Sequence, residues 1–78
     1  MKRLLSELGR GERGVITRVG AQDVDELTRR LLEMGLLERS SVELVHEAPF
    51  GGDPIVVRAR GALIALRRHE ARHIEVDA

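Results

Sequence analysis

Residues 23–37 read DVDELTRRLLEMGLL, the only stretch long and periodic enough to be a helix. Val24, Leu27, Leu31 and Met34 recur every three or four positions, so one face of that helix is apolar. Asp23 with Glu26 has the spacing of a capping box, in which the Asp carboxylate accepts from the first free backbone N–H groups and the Glu reaches back. The acids of the first turn suit the positive end of the helix dipole. Gly35 stands where a left-handed C-terminal residue is needed. Asp25–Arg29, Glu26–Arg30 and Arg29–Glu33 place opposite charges one turn apart, which predicts ion pairs along the exposed face.

On either side of this helix the pattern alternates or turns. Leu4, Leu5 and Leu8 give the N-terminus a short apolar stripe ended by Gly9 and Gly11, predicting a helical turn or loop across the bottom of a sheet. Glu12–Val19 is rich in β-branched residues and predicts the first strand. After a turn at Glu38-Arg39-Ser40, Val42, Leu44, His46 and Ala48 alternate with Glu43, Val45 and Glu47, as a half-buried second strand does. Pro49-Phe50-Gly51-Gly52-Asp53-Pro54 is a turn cluster with partly fixed dihedrals. Ile55–Arg60 and Ala62–Leu66 predict strands three and four around a turn at Gly61, and Arg67–Ala71 predicts a turn or one helical turn. Arg72–Asp77 closes the chain as strand five, with Ile74 and Val76 inward. The expected architecture is a mainly β, five-stranded, closed or nearly closed small barrel, with one α-helix inserted between strands 1 and 2 and plugging an end. Residues 1–78 are expected to form a single domain.

The totals exclude several functions. Thirteen basic residues balance thirteen acidic ones, without the basic excess of a nucleic-acid binder. Phe50 is the only aromatic residue, too few for a base-stacking platform or a proline-peptide groove. There is no cysteine, hence no disulfide framework or thiolate metal site, and no apolar run long enough to span or insert into a membrane. A cytoplasmic protein is expected. No glycine-rich phosphate loop, serine nucleophile or carboxylate pair offers catalytic machinery, so an enzyme is not expected.

Three features carry candidate chemistry. His69-Glu70-Ala71-Arg72-His73 matches the zinc-protease pattern letter for letter, but the motif needs two helical turns and the alternating Ile74-Glu75-Val76 follows at once. The match is read as chance for a protease. A looser site for Fe(II) or Zn(II) at His69, His73 and Glu70, with His46, stands beside the plainer reading of solvated histidines. The Pro49–Pro54 loop either offers Phe50 to a partner or folds it back over the barrel end. Arg58, Arg60, Arg67, Arg68 and Arg72 make the C-terminal half locally basic, diluted by Glu70, Glu75 and Asp77.

Arg30-Leu31-Leu32-Glu33-Met34-Gly35-Leu36, Val42-Glu43-Leu44-Val45, Ala48-Pro49-Phe50-Gly51 with Asp53-Pro54-Ile55, Arg60-Gly61, Ile64-Ala65-Leu66-Arg67-Arg68, and Glu70-Ala71 with Ile74-Glu75-Val76 occur in the order seen in the FeoA family, ferrous iron transport protein A. The chain resembles that family, and the related C-terminal domains of iron-dependent repressors, from about Glu7 to Val76. The resemblance implies an SH3-like barrel and a cytosolic accessory that binds the cytoplasmic part of the ferrous iron transporter FeoB by protein–protein contact. On that reading Arg29, Arg30 and the loop residues Pro49, Phe50, Gly51, Gly52, Asp53 and Pro54 meet the transporter. A transition-metal module built on the surface histidines, and a free-standing relative of the repressor domain that cannot read DNA itself, are the alternatives. Two departures stand out. The family usually has Pro-Gly where this chain has Glu38-Arg39, which predicts Arg39 in a conformation glycine takes more cheaply. The family's loop reads A-P-L-G-D-P, whereas here Phe50 replaces the Leu and Gly52 is an extra residue.

Overall fold

The computed structural model describes residues 1–20 and 25–78. Its elements in chain order are β1 (Lys2–Leu4), a 3₁₀ turn (Leu5–Glu7), β2 (Arg13–Val19), α1 (Glu26–Glu33), β3 (Ser41–Glu47), β4 (Ile55–Ala59), β5 (Ala62–Leu66), α2 (Arg68–Ala71) and β6 (Ile74–Asp77). The strands form one antiparallel six-stranded sheet in the order β1-β6-β2-β3-β4-β5. The expected strands are present, the helical turn expected near the N-terminus is the 3₁₀ turn Leu5–Glu7, and a sixth strand, β1, precedes it. Among the described residues β1 and β5 are the free ends of the sheet, so the sheet curls without closing.

Two irregularities bend it. Between β2 and β6 the register shifts at Thr17, whose hydroxyl donates to the Glu75 carbonyl at 3.2 Å and to its carboxylate at 2.9 Å. Between β3 and β4, Leu44 pairs with Val57 and His46 with Val56, leaving Val45 as the extra residue. One extra residue reverses the alternation beyond it. His46 therefore does not follow Leu44 inward and is exposed. The core is apolar and shared by every layer: Leu5, Ile16, Leu31, Leu44, Val57 and Ile74 are each at most 1% exposed.

Helix α1 is shorter than the periodic stretch. The expected capping residue Asp23, with Val24, lies outside the described residues; the N-cap of α1 is Asp25, whose carboxylate accepts from the Thr28 N–H at 2.8 Å. That bond, with the Thr28 hydroxyl, holds the Asp25 carboxyl below the usual carboxylate range. The C-terminus is as the sequence implies. Gly35 takes φ +100°, its N–H donates to the Leu32 carbonyl at 3.0 Å, and the Leu36 N–H donates to the Leu31 carbonyl at 3.2 Å. This is a Schellman motif with its apolar pair, since Leu31 and Leu36 are both fully buried. The helix seats on the end of β2, where a side chain at Gly20 would overlap that of the buried Thr28. Arg39 has φ 72°, as the missing glycine predicts, and its N–H donates to the Ile16 carbonyl at 2.7 Å.

Candidate functional site

The β3–β4 connection is where an unusual surface meets unusual bracing. Pro49–Pro54 leaves β3 at Ala48 and is closed at its base by the Ala48 N–H donating to the Pro54 carbonyl at 3.0 Å. Gly51 and Gly52 both have positive φ, 79° and 67°, and the Asp53–Pro54 peptide is cis. Phe50 is 92% exposed at the tip, so it does not fold back over the sheet. A large apolar ring held in water is costly by roughly 2 kcal/mol relative to burial.

One side chain holds the loop. Arg68, the first residue of α2, donates from Nε to the Gly52 carbonyl at 2.8 Å, from Nη1 to the Ser6 carbonyl at 2.7 Å and from Nη2 to the Glu47 carboxylate at 2.9 Å. Its backbone N–H donates to the Asp53 carboxylate at 3.1 Å. The planar guanidinium thus ties the loop to the end of β3 and to the 3₁₀ turn, a geometry that the fixed fork of Arg allows and the point charge of Lys does not. Sequence reasoning placed Arg68 only in a diffuse basic half. Its partners lie up to 62 positions away along the chain, so no local pattern marks it.

Helix α2 also joins the loop to α1. Glu70, two residues beyond Arg68, is 5% exposed. One carboxylate oxygen accepts from the Arg67 N–H at 2.8 Å, reaching back as in a capping box, and the other is ion-paired with Arg30. Arg30 therefore pairs with Glu70 and not with Glu26. Among the described residues none of the three expected pairs along α1 forms: the Asp25 carboxylate caps the helix in place of meeting Arg29, and Arg30 turns toward α2 in place of meeting Glu26. Arg29 is exposed. The expected partner-binding residues are thereby connected through α2: Arg68 holds the loop and Glu70 holds Arg30.

The histidines are arranged differently. His69 and His73 are exposed, and α2 ends at Ala71, so the two rings are not carried on one helix. Glu70 is turned inward between Arg30 and the Arg67 N–H, and His46 lies on β3. Among the described residues no three His, Cys, Asp or Glu side chains are grouped to hold a metal ion. At the end of the β3–β4 hairpin opposite the loop, Arg13, Ser41, Glu43, Arg58, Arg60 and Gly61 line a shallow cleft, where Glu43 lies 3.6 Å from both Arg13 and Arg58. No helix among the described residues is long and apolar enough to cross a membrane.

This fold and its ordered motifs match known proteins. The sequence pattern of the FeoA domain covers residues 3–78. The chain belongs to the FeoA domain family. A fusion of Fe(2+) transport protein A with the Fe(2+) transporter FeoB, from Porphyromonas gingivalis, is 38% identical over 73 residues. That alignment covers 94% of this FeoA domain and 8% of the fusion protein, so the chain spans a small part of that relative. Among solved structures, Stenotrophomonas maltophilia FeoA, determined with zinc and described as an SH3-domain protein, has a TM-score of 0.81 and 33% identity, with 96% of this chain and 89% of that one covered. The fold of this FeoA domain is accordingly SH3-like, a mostly β sheet with one main helix. A manganese-dependent transcriptional repressor shares it with a TM-score of 0.82 over 96% of this chain and 40% of its own, at 24% identity, a likeness of fold alone.

Proposed function

We propose that this FeoA domain is a cytoplasmic accessory of ferrous iron transport that binds the cytoplasmic part of the FeoB transporter through the Pro49–Pro54 loop, with Arg29 and Arg30 on α1 as a second contact. The observation that carries this reading is Phe50, 92% exposed on a loop whose backbone is fixed by Arg68. A pre-ordered apolar anchor loses little conformational entropy on docking, which favours recognition of a partner pocket. The joining of the two proteins in one chain in Porphyromonas gingivalis supports FeoB as that partner, since fusion holds two functional neighbours at high local concentration. On this reading the domain acts by contact and not by catalysis. It biases the transporter by binding one of its states more tightly than another, with Fe(II) as the cargo.

Capture of the transporter from detergent-solubilised membranes by tagged chain, with and without a GTP analogue and Fe(II), tests the reading. Nucleotide-dependent capture supports it and identifies the state recognised. No capture from membranes that contain the transporter contradicts it.

A second reading, Fe(II) or Zn(II) binding at His69 and His73 with Glu70, takes its support from the zinc in the Stenotrophomonas maltophilia relative. Glu70 contributes only if the Arg30 pair opens. Anaerobic metal titration of the chain and of a His69→Ala/His73→Ala variant decides it; equal binding by both removes these residues from any metal site.

A further inference from the structure

Strand β5 is a sheet edge without the usual safeguards. Natural edge strands are kept from pairing by charges, prolines, bulges or extreme shortness. The opposite edge, β1, is three residues long and carries Lys2 and Arg3. By contrast β5 is Ala62-Leu63-Ile64-Ala65-Leu66, five uncharged residues in unbroken register with β4. Ala59 and Ala62 close a two-residue turn in which Arg60 and Gly61 have φ 53° and 80°. That pair is hydrogen-bonded, and the bonding alternates along an antiparallel ladder, so Ala62, Ile64 and Leu66 face β4. The N–H and C=O of Leu63 and Ala65 point to the open side. Among the described residues neither has a backbone partner there. Leu63 is 64% exposed and lies across from Arg58, which is drawn to Glu43 at 3.6 Å on the next strand, and the neighbouring pair on the same outer face is Ala65 with half-buried Val56.

Charge decides what fits this edge. Arg60 stands at one end and Arg67 at the other, both exposed, and among the described residues neither has an ion-pair partner. Arg67 has an extended backbone and continues the line of Leu63 and Ala65. A second copy of the chain fits poorly. Two antiparallel β5 strands centred on Ile64 would set Arg60 of each copy next to Arg67 of the other, like charge against like charge. We infer that the free edge of β5 is a docking surface for an extended segment of a partner protein with an apolar centre and acidic ends, which adds as a seventh strand antiparallel to β5. Backbone bonds to Leu63 and Ala65 hold the segment, Leu63 and Ala65 on the outer face receive its alternate side chains, and Arg60 and Arg67 receive its ends.

The test needs no transporter, so its outcome is separate from that of the loop assignment. The labelled full chain is titrated by NMR with a capped peptide, Asp-Thr-Val-Thr-Val-Thr-Asp, and with the same peptide ended by Lys in place of Asp. The expected result is shifts and slowed exchange at the Leu63 and Ala65 amides, with about tenfold weaker binding of the Lys-ended peptide from the two reversed charge pairs. Ala65→Pro removes an edge-facing N–H without touching the β4 ladder and is expected to abolish binding. Arg60→Glu/Arg67→Glu, confined to the surface, is expected to reverse the preference toward the Lys-ended peptide, and it remains informative if the proline variant misfolds. Absence of shifts at β5, equal binding of both peptides, or a concentration-dependent dimer that Ala65→Pro dissolves would each overturn the proposal.

Discussion

The Pro49–Pro54 loop and the His69–His73 segment both read as candidate sites in the sequence, and the structure treats them in opposite ways. At the loop, polar side chains turn inward to fix a backbone while the apolar one, Phe50, is left in solvent. In the second segment the one carboxylate, Glu70, is buried and committed to Arg30 and to the Arg67 N–H, and the histidines around it are exposed. Composition alone makes His69–His73 the more chemical of the two. In the fold, Arg68 and Glu70 of α2 brace their neighbours, while the loop leaves its one aromatic ring exposed. Glu70 is spent on the fold, whereas the His69 and His73 rings are not.

The largest effect that bears on this contrast is expected at Arg68. Arg68→Ala strips donors from the Gly52 and Ser6 carbonyls and from Glu47. A loss of about 2 kcal/mol is expected, or on the order of 10 °C in Tm for a domain of this size. Hydrogen exchange in the loop should rise with it, and an unchanged Tm would mean that the loop holds itself. Next comes Glu70→Ala, which leaves the Arg67 N–H without its acceptor and frees Arg30. Roughly 1–2 kcal/mol should be lost in denaturant melts, whereas Glu70→Gln keeps a neutral acceptor for the N–H and should lose less. If Glu70→Ala is neutral, α2 is not the link between the loop and α1.

The opposite sign is expected at Arg39. Relief of the positive φ in Arg39→Gly outweighs the added freedom of the unfolded chain, and stability should rise by less than about 1 kcal/mol. The smallest effect is with acid. Hydrogen bonds from Arg3 and then from the Gly9 N–H hold the Glu12 carboxyl below its ordinary range, as the Thr28 backbone N–H does for Asp25. A lowered folded pKa stabilises above the unfolded value, near pH 4, and that contribution is lost as pH falls below it toward the folded value. Both groups are exposed, so the loss should be slight and shrink further in salt; Tm against pH in the Glu12→Gln and Asp25→Asn variants measures it.

Much of the fold was legible because it is written in local periodicity. The apolar stripe at Leu27, Leu31 and Met34, the Gly35 stop and the β4–β5 hairpin all appear where the sequence pattern puts them. Misreadings came where a single residue or a distant partner decides. Val45 is as strand-like as its neighbours, so nothing local announces that it is the bulge that turns His46 outward. The helical turn expected of the N-terminus is present at Leu5–Glu7, but β1 before it is too short to show alternation; its strand conformation comes from pairing with β6 at the far end of the chain. The loop is visible as a turn cluster, but its bracing is not, because the Arg68 bonds to Gly52, Ser6 and Glu47 join residues far apart in the chain.

The most direct test of the central claim, that the exposed Phe50 on its Arg68-braced loop is the contact with the transporter, is the affinity of Phe50→Ala for solubilised FeoB beside that of the unaltered chain. Because Phe50 makes no core contact, the variant should melt at the same temperature or slightly higher. It should also bind at least about tenfold more weakly, the loss expected of an apolar anchor at the centre of an interface. Equal affinity in a variant with an unchanged melt would contradict the account and remove the loop from the interface.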